Sequence, residues 1–170
     1  MKRTTPLAGI LLLLTILLPG CGDSGGNQAE LDQALNKLNK GTMSVAVALE
    51  SMRTNAEMYA DGGRTPMKVE LEMWWISLTS TRLNLSRIKT LVIDNPQIVP
   101  EARNLWSGRI QGNIDLILEN GMLTTMKGTL SSRVIAEYGE ERVRKEADQV
   151  IGLSEEIEAL LGIEPDASEG

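Results

Sequence analysis

The sequence predicts an all-α protein, an antiparallel bundle of three or four long helices. Three observations predict it. Apolar residues recur at alternating spacings of three and four along two stretches of about thirty residues each, the rhythm of a helix with one buried face. Segments rich in Gly and Pro interrupt the rhythm at short connections, which leave successive helices antiparallel. The β-branched runs Ser44 to Leu49 and Thr90 to Ile93, the best strand candidates, lie inside these helical registers.

In the first stretch the seam positions are Leu31, Leu35, Leu38, Thr42, Val45, Leu49, Met52, Ala56 and Tyr59, apolar at all but Thr42. They predict a helix from 28 to 60, roughly 50 Å long at 1.5 Å per residue. Asp61, Gly62 and Gly63 should end it, because glycine accepts the left-handed closing conformation. Thr65 and Pro66 then predict a new start, with the hydroxyl capping free amides and the ring at the first helical position. Met67, Leu71, Trp74, Leu78, Thr81, Leu85, Ile88 and Val92 keep the same alternation until Asp94-Asn95-Pro96.

The third stretch starts at Pro96 or Pro100 and carries Ala102, Trp106, Ile110, Ile114, Ile117 and Leu118 on one side. Its end is ambiguous: Asn120-Gly121, Gly128 and Gly139 all punctuate the chain, and the pattern does not choose among them. A last amphipathic stretch places Val143, Ala147, Val150, Ser154, Ile157 and Leu161 at helical spacing and ends at Gly162, before Pro165. Four helices fit this better than three.

Ahead of the bundle, Lys2 and Arg3 precede an apolar run from Leu7 to Leu18, followed by Pro19, Gly20 and Cys21. That order is an export signal. The run is too short to span a bilayer as a helix, which takes about 20 residues. Leu18-Pro19-Gly20-Cys21 resembles the lipobox of bacterial lipoproteins, with Pro19 standing where Ala, Ser or Thr is usual. The resemblance covers the first 21 residues. It implies a diacylglycerol on the Cys21 thiol, cleavage just before that cysteine by a dedicated signal peptidase, and often a third acyl chain such as palmitate on the new amino end. Each buried methylene contributes about 0.8 kcal/mol, so two or three chains hold a protein at a membrane. Gly22 stands where Asp typically retains such proteins in the inner membrane, which favours the outer membrane, facing the periplasm; Asp23, one place further, keeps the inner membrane as the alternative. The small polar residues from Gly22 to Asn27 read as a flexible tether.

The expected organisation is therefore a signal peptide at 1–20, the lipidated Cys21 and tether at 21–29, the bundle at 30–162 and an acidic tail at 163–170.

Composition narrows the chemistry. With no His and one Cys, the chain has neither the commonest general base nor the means for an intramolecular disulfide or a thiolate cage. Di-iron bundles need Glu-x-x-His, and c-type haem attachment needs a second Cys and a His. Carboxylate pairs such as Glu70 with Glu72, or Glu155 with Glu158, need a pocket before they can do acid/base work. The sequence thus predicts no enzyme, no cofactor and no metal site.

The remaining candidates are surface or core features. Trp74, Trp75 and Trp106 are the candidate partner-binding residues, because an exposed Trp anchors interfaces; the competing reading is that they fill a core that lacks Phe. Met43, Met52, Met58, Met67, Met73, Met122 and Met126 supply thioethers that could bind Cu(I), but methionine is equally a flexible core filler. Gly108 and Gly112 form a GxxxG spacing suited to close packing. From Glu137 to the end, eleven acids face three bases, a balance of minus eight. That end would repel nucleic acid and anionic headgroups, and reads either as a solvated face or as a steering surface for a basic partner. Glu140 with Arg144 and Glu141 with Lys145 have the spacing of helix pairs.

Together these readings predict a noncatalytic, membrane-anchored envelope lipoprotein whose bundle binds or scaffolds another envelope protein. The alternative is a small-molecule or metal-binding module with a cavity lined by Met and Trp. An apolar groove on the exterior would favour the first, and an enclosed pocket the second.

Overall fold

The computed structural model describes residues 24–60, 64–119 and 128–164, and all regular structure among them is helical. Helix α1 (Ser24–Ala60) and helix α2 (Lys68–Asp94) are the two long rods. A 3₁₀ turn (Pro96–Ile98) leads into α3 (Val99–Trp106), which continues through a π-helical turn (Ser107–Gln111) into α4 (Gly112–Glu119). Two further helices follow, α5 (Gly128–Tyr138) and α6 (Glu140–Leu161).

The expected seams form the core. Leu38, Val45, Leu49, Met52 and Tyr59 of α1 are buried with Leu71, Trp74, Leu78, Leu85, Ile88 and Val92 of α2. Leu31, Leu35 and Ala56 are partly buried against them. Each large side chain fully removed from water contributes about 1.5–3 kcal/mol, so this antiparallel pair is the backbone of the fold. Helix α6 lies along α2, the α3–α4 rod faces α1, and α5 packs across α1 and α2. At Gly41 the two long helices come close: a Cβ there would stand 3.3 Å from Ile88 Cγ1.

The polar exceptions in the seams go inside too. Thr42, Thr81 and Ser154 are all buried. The Thr42 hydroxyl donates to the Asn39 carbonyl at 3.1 Å, and that of Thr81 to the Ser77 carbonyl at 2.8 Å. A hydroxyl bonded to its own helix brings no unpaired donor into the core, so threonine sits in an apolar seam without penalty.

Several boundaries differ from expectation. Helix α1 begins at Ser24, so residues 24–29 of the expected tether are helical. Once a helix is nucleated, each added residue contributes a hydrogen bond, which offsets the weak propensity of Ser and Gly. The proposed closing residues Asp61, Gly62 and Gly63 lie outside the described residues. Helix α2 starts at Lys68 rather than Pro66, because Glu70 reaches back: its carboxylate accepts from the Met67 N–H at 2.7 Å. Pro66 is buried ahead of the helix.

The last half holds an extra break. Gly139, with φ +86°, separates α5 from α6, a backbone conformation no helix contains; it is one of the breaks the pattern leaves open, and the expected last stretch from Val143 to Leu161 lies within the single helix α6. Gly128 opens α5, and Asn120-Gly121 lies outside the described residues. Gly162 closes α6 as expected, with φ +64°, its N–H donating to the Ala159 carbonyl and that of Ile163 to the Glu158 carbonyl.

The π turn has a reason in the sequence. Ala102, Trp106, Ile110 and Ile114 are all buried, yet they are spaced strictly by four. In a plain α-helix each step of four drifts about 40° around the axis. The wider turn at Ser107–Gln111 takes up that drift and keeps the four on one face. It also aims Arg109 at α1, where its guanidinium donates to Asn39 Oδ1 at 2.6 Å.

Candidate functional site

The tryptophans proposed as partner-binding residues are largely taken inside. Trp106 is fully buried and Trp74 nearly so. Their seam positions face the bundle centre, which corrects the partner reading for both. Trp75 is half-buried: Tyr138 of α5 stacks on it at 4.8 Å between centroids, and Arg142 of α6 lies over its ring at 4.9 Å. It works as a clasp between α2 and the C-terminal helices. The Trp106 indole N–H donates to Glu158 at 3.0 Å, whereas the Trp74 indole N–H and the Tyr59 hydroxyl, both buried, have no hydrogen-bond partner among the described residues.

The methionines do the opposite. Met52 fills the core, but Met43, Met58, Met67 and Met73 are each about half exposed. Core filling therefore does not explain them. Met122, Met126 and Cys21 lie outside the described residues. Gly108 and Gly112 have open space where a Cβ would stand, so their spacing mediates no close helix contact.

Part of the acidic end is engaged within the fold. Glu146 binds Arg82 and Glu156 binds Lys89, at 2.6 Å in the second pair, both stitching α6 to α2. Glu137 of α5 meets Lys68 at 3.5 Å, and Glu140 pairs with Arg144 on its own helix as expected. Glu141 and Lys145 form no such pair.

Among the described residues three carboxylates depart from ordinary titration. Burial raises Glu158, with Asp115 and Glu155 pushing the same way and the Trp106 indole opposing. Glu70 is held low by the Tyr59 phenol nearby, the Met67 N–H and Arg64. The phenol lies beyond ordinary hydrogen-bond geometry, so its influence is that of a close dipole. Glu50 is lowered by its hydrogen bonds with Arg53. Of the three, Glu158 lines an open hollow of about 560 Å³ together with Glu155, Ile163 and Glu164 at the end of α6. Among the described residues no three His, Cys, Asp or Glu gather to hold a metal ion, and no helix is long and apolar enough to cross a membrane.

What the fold does assemble is an open groove along the outer face of α1 and α2. One part, of about 730 Å³, has a floor of small residues, Ser44, Ala48 and Ser51 on α1 with Ser77 and Ser80 on α2. Its rims are Met43, Val47 and Ile76, each more than half exposed. It runs on, through the shared residues Lys40 and Ser44, into a second part of about 400 Å³ lined by Lys37, Gly41, Asn84 and Arg87. Floor polar groups are partly satisfied from within: Ser44 Oγ donates to the Lys40 carbonyl at 3.0 Å, and the Asn84 amide to that of Ser80 at 2.9 Å. Such a floor offers contact area with little demand for water.

The rim belongs to a longer stripe. Val69, Met73, Ile76 and Leu83 of α2 are all exposed, and their spacings of four, three and seven put them on one side of the helix. This second stripe lies outside the buried seam of α2. Its signal is the same three-and-four rhythm, offset from the seam by one or two residues.

Comparison with known protein families, with characterised proteins and with solved structures finds no match to this chain.

Proposed function

We propose that this chain is a noncatalytic envelope lipoprotein, held at a bilayer by lipid on Cys21, whose helical bundle docks another protein on the outer face of α1 and α2. The observation that carries the docking half is the exposed apolar stripe beside an open, small-floored groove, on a rod pair whose other face is a filled core. Soluble domains rarely leave a contiguous apolar surface bare unless something covers it. Exposed methionines suit such a face, since the unbranched thioether adapts to a partner's shape. The anchoring half is supported by the order of residues from Lys2 to Cys21 and by its resemblance to a lipobox. Gly22 in the sorting position favours the outer membrane, with the bundle in the periplasm.

The test is labelling of cells with tagged palmitate, with and without Cys21→Ser, followed by mass spectrometry of the amino end. Label on the wild type alone, with Cys21 as the acylated first residue, is expected. An unlabelled or uncut chain would remove the anchor from the proposal.

A further inference from the structure

We infer that the α1–α2 groove takes one amphipathic α-helix of a partner protein, its bulky apolar face against Val47 and Ile76 and its carboxylates over Lys37, Lys40 and Arg87. This rests on reading the groove as the docking surface, and names what that surface recognises.

The shape argues for a helix. Two rods side by side with a floor of Ser and Ala let a third rod lie between them at the 8–10 Å separation typical of packed helices. From Lys37 to Ser51 the floor extends roughly 21 Å at 1.5 Å per residue, about four turns of a partner helix. A flat bilayer would meet only the rims of this trough and leave its floor of small residues unfilled, whereas a rod fills both.

The charges argue for an acidic partner. Other bases of α2 are spent inside the fold, Arg82 on Glu146 and Lys89 on Glu156. Lys37, Lys40 and Arg87 are exposed, gathered at one end of the groove, and have no ion pair with any described residue. No acid lines either part of the groove. A second copy presenting the same face would bring three more cations and nothing to match them, so a different protein is the better complement. Apolar anchors at helical spacing give affinity, and carboxylates over the basic end set the direction in which the helix lies.

The experiment places a photoreactive residue at Val47 in the full chain in its native cells, with a second at Glu141 on the outer side of α6 as control, and identifies the cross-linked peptides. The expected product from Val47 is a segment of another protein with apolar residues at spacings of three and four and carboxylates within two turns of them. The triple reversal Lys37→Glu, Lys40→Glu, Arg87→Glu should lower that yield about tenfold, and the milder Lys40→Glu should lower it less, with thermal unfolding unchanged in both. Cross-links to a second copy, to lipid, or to a segment without that pattern overturn the inference, as do an absent cross-link and a yield indifferent to charge. A partner captured only from Glu141 also overturns it, while leaving standing the broader proposal that the bundle binds a protein.

Discussion

The indole N–H of Trp106 and the carboxylate of Glu158 meet at 3.0 Å, joining the end of α3 to the last turns of α6. The pair is asymmetric. The indole needs an acceptor because it is fully buried, but it does not need a charged one, and burial with Asp115 and Glu155 nearby raises the carboxyl above its usual range. A raised carboxyl gives stability that is fully present below its unfolded value, about 4.3, and is lost as pH rises through the folded value.

Glu158→Gln should therefore match or exceed the wild type in thermal midpoint at pH 7 and differ little from it near pH 3, since the amide oxygen still accepts. Glu158→Leu should cost about 1–3 kcal/mol by leaving the indole N–H unpaired. Unfolding curves at the two pH values check both.

Glu70 should behave with the opposite sign. Its carboxyl is lowered, so what it contributes is present above the ordinary carboxylate range and is lost as pH falls through its own lowered value. Glu70→Gln is expected to reduce the midpoint at pH 7, with the gap closing on acidification. A gap that stays constant across the titration would show that the carboxylate charge is irrelevant to the α2 start.

The pairing of Arg82 with Glu146 predicts a charge-swap rescue. Both side chains are largely buried, so Arg82→Glu alone should destabilise, and adding Glu146→Arg should recover part of the loss. A double-mutant cycle is expected to give a coupling of about 1 kcal/mol, and a value near zero would mean that α6 is held to α2 by its apolar seam alone.

Two methionines separate core from surface. Met52→Ala removes a fully buried side chain and should cost about 2–5 kcal/mol, whereas Met73→Ala, on the outer stripe, should stay within about 0.5 kcal/mol. Denaturant titration distinguishes them directly.

Gly139→Ala should cost about 1–3 kcal/mol, because φ +86° with ψ +137° is a region that side chains rarely enter. No atom crowds the site, so the loss is one of backbone conformation. A variant with wild-type stability would mean that the α5–α6 junction relaxes at no cost.

Much of this was readable in the chain. Leu38, Leu49, Leu78 and Ile88 announce their burial through a period of 3.6, and Gly162 its closing role through its place after the last seam residue. The α2 start was misplaced because a Thr-Pro pair is the stronger local signal, while the deciding contact comes from Glu70, within the helix. The pairing of Arg82 and Lys89 with acids of α6 was invisible for another reason: a helix-local rule of four residues cannot see a partner that only the tertiary arrangement brings near. Of the candidate site, Trp74 and Trp106 lie inside, while Val47, Ile76 and the cations at the groove end carry no local signal that sets them apart from ordinary surface residues. The buried seam dominates the apolar rhythm of each helix, and only the fold sets the exposed apolar residues of the second stripe side by side.

The π turn makes the α3–α4 rod tolerant of one particular shortening. Seven residues of ordinary helix return to within about 20° of where they began, and eight residues through the wider turn do the same. A chain lacking Gly108 would still bring Trp106 and Ile114 to the same side, so the buried packing survives. What goes is the outward bow that delivers Arg109 to Asn39. The surplus residue is thus an accessory to the rod's own fold, and serves the grip between that rod and α1.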